Sequence, residues 1–80
     1  MQIEKAIGLV LNEIARAEEI HPEWSPDPVK AAAIVGEEAG ELLQAANNFD
    51  ENPDGSLTPV ITEAIHTAAT ALRFLKNIKD

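Results

Sequence analysis

All five prolines of this 80-residue chain fall in two short windows, Pro22, Pro26 and Pro28 in one and Pro53 and Pro59 in the other. Proline has no N–H to donate and clashes with the preceding turn, so a helix tolerates it only in its first turn. The windows leave three uninterrupted segments, and each repeats apolar residues at helical spacing. In Met1–Glu19, Ile3, Ile7, Val10, Leu11 and Ile14 share one face, with Gln2, Lys5, Asn12, Arg16 and Glu19 on the other. Pro28–Phe49 is rich in alanine and starts from Asp27 as N-cap with proline in the first turn. The third helix starts with Thr58 as N-cap and Pro59 in its first turn and runs to about Lys79. Its apolar stripe is Ile61, Ala64, Ile65, Ala68, Ala69, Leu72 and Leu75. The expected fold is all-α, a three-helix protomer forming one domain over residues 1–80. Phe74 and Ile78 lie off the main stripe, and a helix apolar on two sides buries two sides. Three helices do not supply that cover, so the protomer is expected to assemble into an oligomeric helical bundle, a homodimer or homotetramer.

Composition narrows the function. Six Lys+Arg stand against fourteen Asp+Glu, a net charge of -8. A nucleic-acid backbone is held by a basic face, so nucleic acid is not an expected partner. A small polyanion still docks on an acidic site when divalent metal lies between the two sets of negative charge. There is no cysteine, hence no disulfide framework and no thiolate metal site. No apolar run approaches membrane-spanning length and Met1–Ile20 lacks a signal-peptide layout, so a soluble, cytoplasmic protein without a membrane partner is expected.

The chemistry concentrates in Val35-Gly36-Glu37-Glu38-Ala39-Gly40-Glu41-Leu42. At about 100° per residue from Ile34, Glu38 falls near 40° and Glu41 near 340°, among Ala45, Phe49 and Leu42, while Glu37 lies near 300°. Glutamates within an apolar stripe, one turn apart, need a compensating cation. With so few basic residues, a bound metal ion is the simplest one. On the third helix, Glu63 and His66 stand at i, i+3 on a polar strip that continues to Thr70 and Asn77. Two antiparallel helices bring such pairs together as inward ligands around one or two cations. Oxygen-rich ligation selects magnesium or manganese. His66 is read either as a ligand, a proton carrier or a structural histidine. Trp24 and His21, in the first break, offer a stacking surface for a nucleobase, or Trp24 is core packing. Arg73 and Lys76 are the basic residues best placed for phosphates, with plain surface charge as the alternative.

Glu38-Ala39-Gly40-Glu41-Leu42, followed after twenty-one residues from Leu42 to Thr62 by Glu63-Ala64-Ile65-His66, resembles the all-α nucleoside triphosphate pyrophosphohydrolases of the MazG type. Their pattern is ExxE and, further on, ExxD. The likeness runs from about Trp24 to Leu75, and Thr67–Leu75 is similar to the end of this helix in short phage- and cassette-borne members. It implies a magnesium-dependent enzyme that converts a nucleoside triphosphate and water into a monophosphate and pyrophosphate, for nucleotide-pool control or house-cleaning. It implies Glu38, Glu41, Glu63 and His66 as metal ligands, and Glu37 or Glu38 as the residue that orients or deprotonates water. Trp24, with Phe49, would hold the base. His66 stands where the family has Asp, which implies a single ion, a preference for manganese, or weak turnover. The alternative is a non-catalytic helical oligomer that binds nucleotide, metal or another protein.

Overall fold

The computed structural model describes residues 1–79, and these form three α-helices and no strand. Helix α1 spans Ile3–Ile20, α2 spans Pro28–Glu51 and α3 spans Thr58–Asn77. The proline windows become the two connections. Asp27 caps α2 by accepting from the Val29 N–H at 2.9 Å, with Pro28 in the first turn, as its sequence predicts. The start of α3 differs. Thr58 is already helical and Leu57, in right-handed helical backbone, holds the cap position without a side-chain bond. Ser56 Oγ accepts instead from the Thr58 N–H at 3.0 Å. The turn begins one residue early because the Leu57 carbonyl already accepts from Ile61 N–H.

Helix α3 is the centre of the layer and α1 and α2 flank it without contacting each other. Glu13 meets His66 and Glu18 meets Lys76, so α1 runs in the same sense as α3. The Thr67 hydroxyl donates to the Glu38 carbonyl at 3.1 Å, while Ala31 lies near Phe74 and Phe49 near Pro59, so α2 is antiparallel to α3. Among the described residues Ala31 and Ala69 are the buried apolar ones, and Arg73 is buried with them. Most of the large apolar side chains, including Ile3, Ile7, Leu11, Leu72 and Leu75, are exposed. No helix among the described residues is long and apolar enough to cross a membrane.

The expected stripes are therefore only partly core. In α1 the face against α3 is built from Val10, Glu13, Ile14 and Ala17, and Ile3, Ile7 and Leu11 turn outward. In α2 the inward face runs through Ala31, Val35, Glu38, Leu42, Ala45 and Phe49, so Ile34 and Glu41 lie at its rim and are exposed.

Candidate functional site

Glu38 reaches the α2–α3 interface from the middle of α2, and Glu63 and His66 reach it from successive turns of α3. One donor atom from each of the three lies within 4.8 Å of the others. His66 Nδ1 is 3.8 Å from Glu63 Oε2. Its Nε2 is 3.6 Å from Glu13 Oε2, and Glu13 is held in turn by Arg16 at 2.6 Å and 2.8 Å. That guanidinium pulls the Glu13 carboxyl below its ordinary range.

Glu38 goes the other way. Burial raises its carboxyl above the ordinary value of 4.5, the charges of Glu41 and Glu63 raise it further, and His66 opposes them. Glu38 Oε2 and Glu63 Oε2 are both buried and have no hydrogen-bond donor. Two buried acceptors left unmatched beside an imidazole nitrogen are the arrangement a cation satisfies. Two carboxylates and one imidazole suit a divalent ion of the magnesium, manganese or zinc kind.

Two clefts meet at this cluster. One, of about 380 Å³, lies between α1 and α2 over α3; Glu38, His66 and Glu13 stand in it with Arg16, His21, Trp24 and Arg73. The other, of about 470 Å³, lies at the far end of α2 and contains Glu41 and Glu63 with Gln44, Asn48 and Phe49. The structure thus joins Glu38, Glu63 and His66 directly and sets Glu41 beside them on the exposed rim. Glu37 is exposed and lines neither cleft.

The aromatic and basic residues divide. His21, Trp24 and Arg73 come together, but Arg73 is committed to structure. Its Nη2 donates to the His21 carbonyl at 2.7 Å, and its guanidinium carbon lies 5.0 Å from the centre of the Trp24 ring. It pins the connection between α1 and α2 onto α3. Lys76 is ion-paired with Glu18 at 2.8 Å and does not line the cleft. Trp24 and Phe49 do not share a pocket. The first precedes α2 and the second closes it, so the length of α2, about 1.5 Å per residue, separates them. Sequence reasoning missed Glu13 and Arg16; the signal was the position of Glu13, three residues after Val10 and four before Ala17. It also missed Gln44 and Asn48, whose amides follow Glu41 at helical spacing.

Comparison of the chain with protein-family models, with curated proteins and with solved structures gives no match.

Proposed function

We propose that this chain is a metal-dependent nucleoside triphosphate pyrophosphohydrolase, similar to the MazG type, that works as a homo-oligomer. The observation that carries the reading is the pair of buried, donor-less oxygens on Glu38 and Glu63 facing His66. Glu38, Glu63 and His66 would hold a magnesium or manganese ion, with Glu41 at its edge. A divalent ion bound there supplies neutralisation of the triphosphate and of the charge developing on pyrophosphate.

The rest falls to the chain's own side chains. The base fits the cleft of Phe49, Gln44 and Asn48, where a ring stacks and amides hydrogen-bond its edge. The phosphates then cross the acidic cluster toward Arg16 and the cleft of Trp24. Water attacks the α-phosphorus in line: its oxygen forms the new P–O bond, the bond to the β-phosphate bridging oxygen breaks, and pyrophosphate leaves. Glu38 takes the proton from that water. Arg73 and the Trp24 face shape the wall of the cleft.

A second reading, a non-catalytic binding module, is favoured by the engagement of Arg16, Arg73 and Lys76 with Glu13, His21 and Glu18. Pyrophosphate release from a panel of ribo- and deoxynucleoside triphosphates separates the two. The enzyme reading expects release with magnesium or manganese, lowered at least about 100-fold in Glu63→Gln, since even partners of ligands cost 10–100-fold. Nucleotide binding without release supports the module. Release that Glu63→Gln leaves unchanged discards the site.

A further inference from the structure

Thr67 stands at the middle of α3 and Glu38 at the middle of α2. The single proton of the Thr67 hydroxyl faces two backbone carbonyls, that of Glu63 at 2.7 Å and that of Glu38 at 3.1 Å. The first bond is local, four residues back along α3, and back-bonds of this kind do little for a helix. The second crosses to α2. Because one oxygen reaches both, the two carbonyl oxygens are at most 5.8 Å apart, 2.7 plus 3.1. They belong to the two glutamates whose side chains carry buried oxygens without a donor. We infer that Thr67 is a positioning residue for the acidic cluster. By tying the Glu38 backbone to the Glu63 backbone it sets how the two carboxylates face each other, and so how tightly they hold a divalent ion. The inference rests on the reading of Glu38, Glu63 and His66 as metal ligands.

Packing alone does not fix this register. Among the described residues the buried apolar side chains are those of Ala31 and Ala69. Methyl groups fit their neighbours in several registers, whereas large interdigitating side chains fit in one. The other α3 side chains that donate outside their own helix, among the described residues, are Arg73 to the His21 carbonyl and Lys76 to Glu18. Both go to α1 or to the connection after it. Helices α2 and α3 are thus joined by one side-chain hydrogen bond among the described residues, and it lies at the level of the cluster. A ligand set keeps its affinity only when it is held to within about 0.5 Å. Glu63 and His66 share α3, so a slide or a rotation of α2 moves Glu38 away from both. Thr70 supplies an internal comparison. Its hydroxyl donates to the His66 carbonyl at 2.7 Å, again four residues back and again to a residue of the cluster, but this bond stays within α3.

Calorimetric titration of manganese chloride into the full chain, well below its melting temperature, reads the affinity of the folded protein and no turnover. Thr67→Val keeps the shape and removes the hydroxyl. It should weaken manganese binding about tenfold, the lower end of the 10–100-fold that outer partners of metal ligands carry. Thr67→Ser restores the donor and should bind nearly as the unmodified chain does, and so should Thr70→Val. Should Thr67→Val fail to fold, Thr67→Ala, which removes the hydroxyl without adding a methyl group, is read in its place. A lower melting temperature of the metal-free variant with unchanged manganese affinity makes Thr67 a matter of stability alone and overturns the proposal, while the metal site stands. Equal weakening in Thr67→Val and Thr70→Val also overturns it, because the loss then belongs to the local bonds. An unmodified chain that takes up neither manganese nor magnesium overturns the metal reading itself, and this inference with it.

Discussion

Glu38→Gln should stabilise the metal-free protein and destabilise the metal-bound one relative to the unmodified chain. Glu38 carries a buried oxygen with no donor, next to the charges of Glu41 and Glu63. An unmatched buried polar group costs about 1–3 kcal/mol, and the half-buried position of Glu38 favours the lower end. Removing the charge while keeping the shape therefore gains about 1 kcal/mol, a rise of roughly 4–8 °C in melting temperature for a domain of this size. The sign with pH follows from the raised carboxyl. The folded state holds the Glu38 proton more tightly than the unfolded chain does. Its contribution is fully present below the unfolded value, near 4.5, and is lost as pH rises through the higher folded value. At neutral pH the unmodified chain bears the cost of the buried charge and the amide does not. Below about pH 4.5 both side chains are neutral and the difference should vanish.

Metal reverses the order. Ligand at 100 times its Kd stabilises the folded state by about 2.7 kcal/mol, worth roughly 11–22 °C here, and the glutamine forfeits most of this. Thermal melts followed by circular dichroism, at fixed protein concentration, read both halves: pH 7 and pH 4 without metal, then pH 7 with manganese or magnesium. A glutamine variant no more stable than the unmodified chain in chelator would refute the reasoning about burial. An equal metal shift in the two proteins would refute the ligand assignment.

The other predictions concern neighbours of that site. His66→Asp should change metal preference: the unmodified chain should gain more stability from manganese than from magnesium, and the aspartate should narrow that gap, because imidazole suits the softer ion and carboxylate the harder. A gap that stays the same would remove His66 from the ligand set. Arg73→Ala should cost about 3 kcal/mol in a urea melt, the sum of a charged hydrogen bond to the His21 carbonyl and a half-buried cation–π contact with Trp24. Arg73→Lys should recover less than half of it, since one ammonium cannot both stack on the ring and reach the carbonyl. Fluorescence of Trp24, the only tryptophan, should shift in both variants; an unchanged spectrum and stability would return Arg73 to the role of free phosphate ligand.

What could be read from sequence divides by the kind of physics involved. Proline placement is a local, steric matter, and it gave three helices with ends within a few residues of the observed ones. Which face of a helix is core is a matter of neighbours. Periodicity placed Ile61, Ala64, Ala68 and Leu72 together correctly, yet it cannot say whether their shared face meets the same chain or another one. The same limit explains Glu41. It lies about 60° around α2 from Glu38, and the axis of α3 falls on the side of Leu42 and Phe49, leaving Glu41 on the rim. Thr58 was misread as the cap because the choice between Ser56 and Thr58 depends on the backbone of Leu57.

Counting six basic residues against fourteen acids suggests that some acids go without a partner, but not which ones. The structure distributes them: Arg16 holds Glu13, Lys76 holds Glu18, and Arg73 is drawn to the His21 carbonyl and the Trp24 ring. Each of these basic side chains is engaged with α1 or with the connection after it. Glu38 and Glu63 are thereby left facing each other beside the His66 imidazole. An arrangement that keeps its cations away from two half-buried carboxylates raises the cost of the metal-free site, and a divalent ion bound there would be held more tightly for it.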